Sequence, residues 1–129
     1  MAIRKTSGFT LIELMIVVAI VAILAMIAYP SFVDQMRKSR RAEAVASIQD
    51  AQLRLERWRV DNPSFAGSGI VIPDTTHYKF KITADAATAN NYSIEADPQG
   101  GQDKDSCATL TLERAGNVVT KKATGSNCW

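Results

Sequence analysis

Residues 14–29 carry no charged or strongly polar side chain, and only Thr10 and Glu13 interrupt the apolar run that begins at Phe9. At 1.5 Å per residue, a helix over residues 9–29 is roughly 31 Å long, enough to cross the hydrocarbon core of a bilayer. The alternative is a core helix inside a soluble protein. That needs a domain able to wrap a cylinder apolar all round, and a chain of 129 residues has too little left to do so. An ordinary secretory signal places a small-residue cleavage site after its apolar stretch. Here the stretch ends in Ala28-Tyr29-Pro30-Ser31-Phe32, a poor match. Two arrangements remain: an uncleaved anchor, or a cut before the apolar run, behind the short basic segment of residues 1–8.

Pro30 is expected to kink the helix rather than end it. Residues 31–61 are rich in Ala, Arg, Glu, Gln and Leu, and Val45, Ile48, Ala51 or Gln52, Leu55 and Trp58 recur at spacings of three and four. That pattern predicts an amphipathic continuation, with a stop at Asp61-Asn62-Pro63-Ser64. A helix over residues 9–61 is roughly 80 Å long, half lipid-solvated and half amphipathic. After a loop over residues 63–76 the period falls to two. Tyr78, Phe80 and Ile82 alternate with Lys79, Lys81 and Thr83; Tyr92, Ile94 and Ala96 repeat the pattern, as do Ala108, Leu110 and Leu112. Arg114-Ala115-Gly116-Asn117 reads as a turn and residues 118–121 as a fourth strand. Short connections favour an antiparallel meander. The fold class expected is α+β: a long N-terminal helix packed on a small antiparallel sheet of about four strands.

Glu13 is the chemical anomaly. A carboxylate at mid-bilayer costs about 2.5–3.5 kcal/mol, less near the end of a span. It is either a residue that reaches the interface, or one that awaits a cation. A cut between Gly8 and Phe9 would create an α-amine four residues upstream, on the same chain or a neighbour, which is a partner of the right charge in a low-dielectric setting.

Gly8-Phe9-Thr10-Leu11-Ile12-Glu13-Leu14 followed by the apolar run closely resembles the type IV prepilin signature. The resemblance extends through Ala28-Tyr29-Pro30-Ser31-Phe32 and Arg40-Arg41-Ala42-Glu43-Ala44, and more loosely to the C-terminus. It implies cleavage after Gly8 by a prepilin peptidase, N-methylation of Phe9, and an assembly ion pair made by Glu13. It divides the chain into a leader at 1–8, a membrane and filament-core helix at 9–30 and a globular domain at 31–129, whose amphipathic helix reaches about residue 62. Many pilins have Gly where this chain has Ala22. Ala favours helix by about 0.8–1.0 kcal/mol, so unwinding of this segment in a filament is expected to be smaller here. Ala19, Ala22, Ala25 and Ala28 are small enough for close helix approach, but three-residue spacing precesses around the helix and makes no straight stripe.

Cys107 and Cys128 allow one pairing. They form either a disulfide closing the C-terminal segment outside the cytoplasm or two unconnected buried thiols; the export signal favours the bridge. Arg37, Lys38, Arg40 and Arg41 outnumber Arg4 and Lys5, so positive-inside counting puts the C-terminal part in the cytoplasm. The prepilin motif demands the reverse, with the leader cytoplasmic, and leaves that basic cluster to meet lipid headgroups or neighbouring subunits, or to stand as a solvated helix face.

The resemblance implies a structural subunit of a type IV pilus, held in the bacterial inner membrane with its globular part periplasmic and then incorporated in an extracellular filament. Expected partners are the prepilin peptidase, inner-membrane lipid, the inner-membrane assembly machinery and other pilin subunits in a helical filament. The block from Cys107 to Leu112, Asn127-Cys128-Trp129 and Asn62-Pro63-Ser64-Phe65-Ala66 look most like a minor pilin serving assembly and twitching motility. The rivals are a major pilin forming the shaft, a type II secretion pseudopilin, which resembles a disulfide-free and often calcium-binding version, and a DNA-uptake receptor using Lys79, Lys81, Arg114, Lys121 and Lys122. Without residues 1–8 the chain has 13 basic and 13 acidic side chains, which speaks against a nucleic-acid partner. His77 is the one histidine and is expected to be merely exposed. No nucleophile–base pair, metal-spaced set or phosphate loop is present, and residues 98–105 lack the spacing of a calcium loop. Neither enzymatic activity nor a cofactor or metal is expected.

Overall fold

A computed structural model describes residues 8–129. The rest of the expected leader, including Arg4 and Lys5, lies outside the described residues. The chain forms two compact units, dividing between Gln35 and Met36. One helix, α1, Leu11–Asp61, contributes to both.

In the first unit, α1 runs without a break through Ala22 and past Pro30. Proline there removes the N–H that would bond the carbonyl of Met26. The apolar side chains of residues 11–29 are exposed throughout, and none of the most apolar 18-residue window is buried. Among the described residues this is the one helix long and apolar enough to cross a membrane.

In the second unit, Ala44, Ile48, Ala51 and Leu55 are the buried residues of α1. Their spacing of four, three and four keeps them on one face, and small and large side chains alternate along it. The stripe expected from Val45 to Trp58 is therefore displaced: Val45 and Trp58 are only half-buried. Trp58 stays at the margin because its indole N–H donates to the Ser64 carbonyl at 3.1 Å. Beyond it the helix ends as Asp61-Asn62-Pro63 requires. Asn62 Nδ2 donates to the Trp58 carbonyl at 2.9 Å and Arg59 Nη1 to the Asn62 carbonyl at 2.8 Å, satisfying carbonyls that have no helical partner.

Four strands follow: β1, Tyr78–Ala84; β2, Tyr92–Pro98; β3, Leu110–Ala115; and β4, Val118–Lys122. Each pairs antiparallel with the next, in the order β1-β2-β3-β4, so the meander is as expected. The register places Ile82 opposite Ile94 and Ile94 opposite Leu112, so apolar positions of three strands share a face. With Tyr78, Tyr92, Ala96 and Leu110 they form one core cluster with the buried face of α1. Fully burying each large aliphatic residue contributes about 1.5–3 kcal/mol. The β3–β4 hairpin closes on Gly116 and Asn117. Gly116 has φ +61°, the conformation that a type II′ turn requires at its first central residue. β3 begins at Leu110 rather than at Ala108, which takes a left-handed φ of 48° as the chain leaves Cys107.

The two sheet edges differ. On β1, Phe80 N–H donates to Asp74 Oδ1 at 2.8 Å and Thr75 N–H donates to the Tyr78 carbonyl at 2.9 Å. On β4 all five residues are exposed, Lys121 and Lys122 among them.

Candidate functional site

The residues expected to carry processing and assembly lie together at the start of α1. Gly8, Phe9 and Thr10 precede the helix, and Phe9 is 82% exposed. Glu13 sits in the first turn, where a carboxylate complements the positive end of the helix dipole. Its backbone N–H donates to Thr10 Oγ1 at 3.3 Å, and Leu14 N–H donates to the Thr10 carbonyl at 3.2 Å. Thr10 is thus the N-cap of α1. Phe9 is here an internal residue bearing an amide, so the α-amine proposed as the partner of Glu13 exists only after a cut.

The second unit holds a buried polar network that the sequence did not announce. The turn Gly100–Lys104, a short 3₁₀ helix, carries Gln102, which is fully buried. Its Nε2 donates to the Arg37 carbonyl at 3.0 Å, to Tyr78 Oη at 3.1 Å and to Asp105 Oδ2 at 3.3 Å, while its Oε1 has no protein partner. Arg41 Nη1 meets Asp105 Oδ1 at 2.7 Å, with the two side chains 12% and 5% exposed. Burial pushes the Tyr78 hydroxyl above its ordinary value of 10; Gln102's hydrogen bond pulls the other way and the charge of Asp105 pushes it further up.

These contacts correct the reading of the basic cluster as a face for lipid, neighbours or solvent at Arg41, while Lys38 stays exposed. Arg41 is turned inward, and Arg37 Nε donates to the Gly101 carbonyl at 3.4 Å. The cause is Asp105, a buried carboxylate that needs a cation within reach. Of the two acids in residues 98–105, Asp105 is thus committed to Arg41. His77 is half-buried rather than merely exposed.

Two residues beyond Asp105, Cys107 is bonded to Cys128, both buried in the core. Closing a 21-residue separation restricts the unfolded chain by roughly 3 kcal/mol in the chain-entropy model. Gly125 lies against this bridge: a Cβ there would meet the Ser106 carbonyl oxygen at 2.8 Å.

A second cluster closes the far end of the helix. The Phe65 ring packs edge-on to Tyr92 at 4.8 Å, with the Arg114 guanidinium 5.1 Å from its centroid. Arg114 forms an ion pair with Glu56, which also accepts the Tyr92 hydroxyl at 3.0 Å. Burial raises the Tyr92 pKa, and the hydrogen bond to anionic Glu56 adds to the rise. Arg114's own hydrogen bond to Glu56 leads the rise in its pKa.

The cationic side chains considered for DNA are mostly offset. Lys79 and Lys81 face Asp97 and Glu95 in the β1–β2 register. Arg114 is bound to Glu56 and Lys122 to Glu113, and Lys121 lies 5.5 Å from the Trp129 ring centroid.

Comparison with known proteins supplies the family. The prokaryotic N-terminal methylation motif matches residues 3–29, and the model described as "Type IV minor pilin ComP, DNA uptake sequence receptor" matches residues 30–111. The chain belongs to the type IV pilin family. A similar pilin is the type IV wide pilus major component PilA4 of Thermus thermophilus, 31% identical over 102 residues, which cover 76% of this chain and 78% of that protein. Among solved structures, a type IV pilin from Shewanella oneidensis aligns with a TM-score of 0.56 at 29% identity, over 72% of this chain and 97% of that one. The α+β pilin fold is thereby shown, as is a structural role in a type IV pilus. The ComP match makes this pilin minor-pilin-like. The methylation motif brings with it processing by a prepilin peptidase, and the family brings other pilin subunits as partners. Its apolar N-terminal helix fits membrane anchoring before assembly into a pilus.

Proposed function

We propose that this pilin is a minor subunit of a type IV pilus that serves pilus assembly and twitching motility. It is cut after Gly8, N-methylated on Phe9 and docked through an ion pair between Glu13 and an α-amine. Residues 1–8 act as the cytoplasmic leader, residues 9–30 hold the subunit in the inner membrane and then join the filament core, and residues 31–129 form a periplasmic domain that the inner-membrane machinery delivers to the filament surface. The observation that carries this reading is the start of α1. A non-helical Gly8–Phe9 bond leads into a helix whose apolar side chains are exposed over residues 11–29. Such a surface needs lipid or other helices. A structural, non-enzymatic role belongs to the same reading, since the pilin family and fold are structural kinds of protein.

Intact-mass measurement of membrane and pilus fractions tests the processing. The expected mass is that of a chain beginning at methylated Phe9, and a mature chain that retains residues 1–8 refutes it. Quantitative mass spectrometry of sheared filaments tests the minor role. If this pilin makes up most of the filament mass, it is a major subunit like the Thermus relative.

A DNA-receptor role is a second reading, favoured by the ComP match over residues 30–111. Against it stand the acidic neighbours of Lys79, Lys81, Arg114 and Lys122. Phosphate contacts release counterions, so a filter-binding constant that falls steeply with salt supports the receptor, and binding that is absent at low salt removes it.

A further inference from the structure

We propose that Thr10 is a positioning residue for prepilin cleavage: by capping α1 it keeps the Gly8–Phe9 bond outside the helix and open to the peptidase. The inference rests on the reading that the cut falls after Gly8. Thr10 Oγ1 accepts the Glu13 N–H at 3.3 Å, Thr10 O accepts the Leu14 N–H at 3.2 Å, and α1 starts at Leu11. Thr10-Leu11-Ile12-Glu13 has the spacing of a capping box, in which a Thr at the N-cap serves the third helical N–H. A cap residue is itself non-helical, so the two residues before it stay out of the ladder. In a membrane, water is scarce at the first turn and uncapped N–H groups are costly; the side chain that supplies the acceptor therefore decides where the helix begins.

The sequence upstream makes that decision consequential. Thr6 and Ser7 are the other cap-forming side chains near the cut. A helix capped at Ser7 would hold Gly8 and Phe9 in its first turn. The scissile peptide would then have to be drawn out of the helix before attack, and cleavage would slow by the population that is helical. Glu13 has a different task in this scheme: its carboxylate acts in assembly, whereas its backbone N–H acts in processing.

The test uses the full chain in detergent micelles with a purified prepilin peptidase. Initial cleavage rates are read by intact mass for wild type, Thr10→Ser and Thr10→Val. Valine keeps the shape and removes the acceptor; serine keeps the acceptor. Thr10→Val is expected to lower kcat/KM about fivefold, the equivalent of about 1 kcal/mol, which is the usual scale of a cap. Thr10→Ser is expected to stay within about twofold of wild type. Carbon chemical shifts of Gly8 and Phe9 are expected to become helical in Thr10→Val alone. Thr10→Val cut at the wild-type rate overturns the proposal, as does equal slowing of both variants, or slowing without a helical shift at Gly8 and Phe9. A wild-type chain cut elsewhere, or not at all, overturns the cleavage assignment itself and the proposal with it.

Discussion

Replacing Arg41 by Met should cost the second unit a large share of its stability, about 3–5 kcal/mol. Asp105 is 5% exposed and meets Arg41 at 2.7 Å. Asp105 Oδ2 also accepts from Gln102 Nε2 at 3.3 Å, a donor already shared with the Arg37 carbonyl and Tyr78. Breaking a buried pair by removing one member leaves an uncompensated charge and costs about 3–5 kcal/mol. Against a total of about 5–15 kcal/mol, that is between a fifth and all of the stability of a domain this size. The carboxylate also follows directly on the turn that carries Gln102 and lies two residues before Cys107, so the loss is not confined to one side chain. The double variant Arg41→Met with Asp105→Leu removes both charges together and should recover most of the loss, because an apolar replacement of a whole pair is often near neutral. Urea melts of the full chain in detergent, followed by the fluorescence of Trp58 and Trp129, measure both. Both indoles lie in the second unit, so the signal reports its unfolding. A single variant less than about 1 kcal/mol below wild type would put the pair with surface ion pairs and refute the reasoning; so would a double variant no better than the single one.

Tyr78 and Tyr92 both have raised pKa values, so the fold favours their neutral forms. That stability is present in full below the unfolded value of about 10 and falls as pH rises above it, by about 2.7 kcal/mol per pH unit while both unfolded phenols are ionised and both folded ones are not; phenolate absorbance from these two that rises without loss of near-UV circular dichroism would contradict this. Cys107→Ser or Cys128→Ser should destabilise the second unit by about 2–5 kcal/mol in the same urea assay, and two free thiols in the native protein would refute the bridge itself. Glu13→Val should leave membrane insertion intact, since it removes a charge from the apolar span, but impair entry into filaments; incorporation at the wild-type level would end the ion-pair account.

The elements legible in the sequence are those that periodicity encodes. The uninterrupted apolar residues 14–29 and the alternation around Phe80, Ile94 and Leu112 state a local environment residue by residue, and the helix and the three inner strands follow. β3 starts two residues later than the alternation predicts: Ala108 continues the pattern, yet its backbone is committed to the exit from the Cys107 bridge. The stripe expected on α1 shares Ile48, Ala51 and Leu55 with the buried line and departs from it at its ends, Val45 and Trp58. Packing chose Ala44, which sits on the buried line with Ile48, Ala51 and Leu55. Arg41 and Asp105 were out of reach for another reason: they are 64 positions apart, and neither neighbourhood records that the other will arrive. Phe65 hid in the same way, an aromatic in a segment that reads as loop and that is buried by Tyr92 and Arg114. At the candidate site, Gly8, Phe9 and Glu13 were legible as a motif, while the part played by Thr10 needed the helix boundary.

The unequal edges of the sheet bear on how such a subunit can exist at high density. Pilins crowd in a membrane and then in a filament, so their sheets meet one another at concentrations where strand addition becomes a competing polymerisation. Asp74 and Thr75 use up two edge groups of β1, and on β4 the exposed Lys121 sets a like charge against any incoming copy of the same strand, while Lys122 is held by Glu113. Growth through the sheet is thereby disfavoured at both edges. What the edges refuse, the exposed apolar side chains of residues 11–29 leave open to lipid or to other helices.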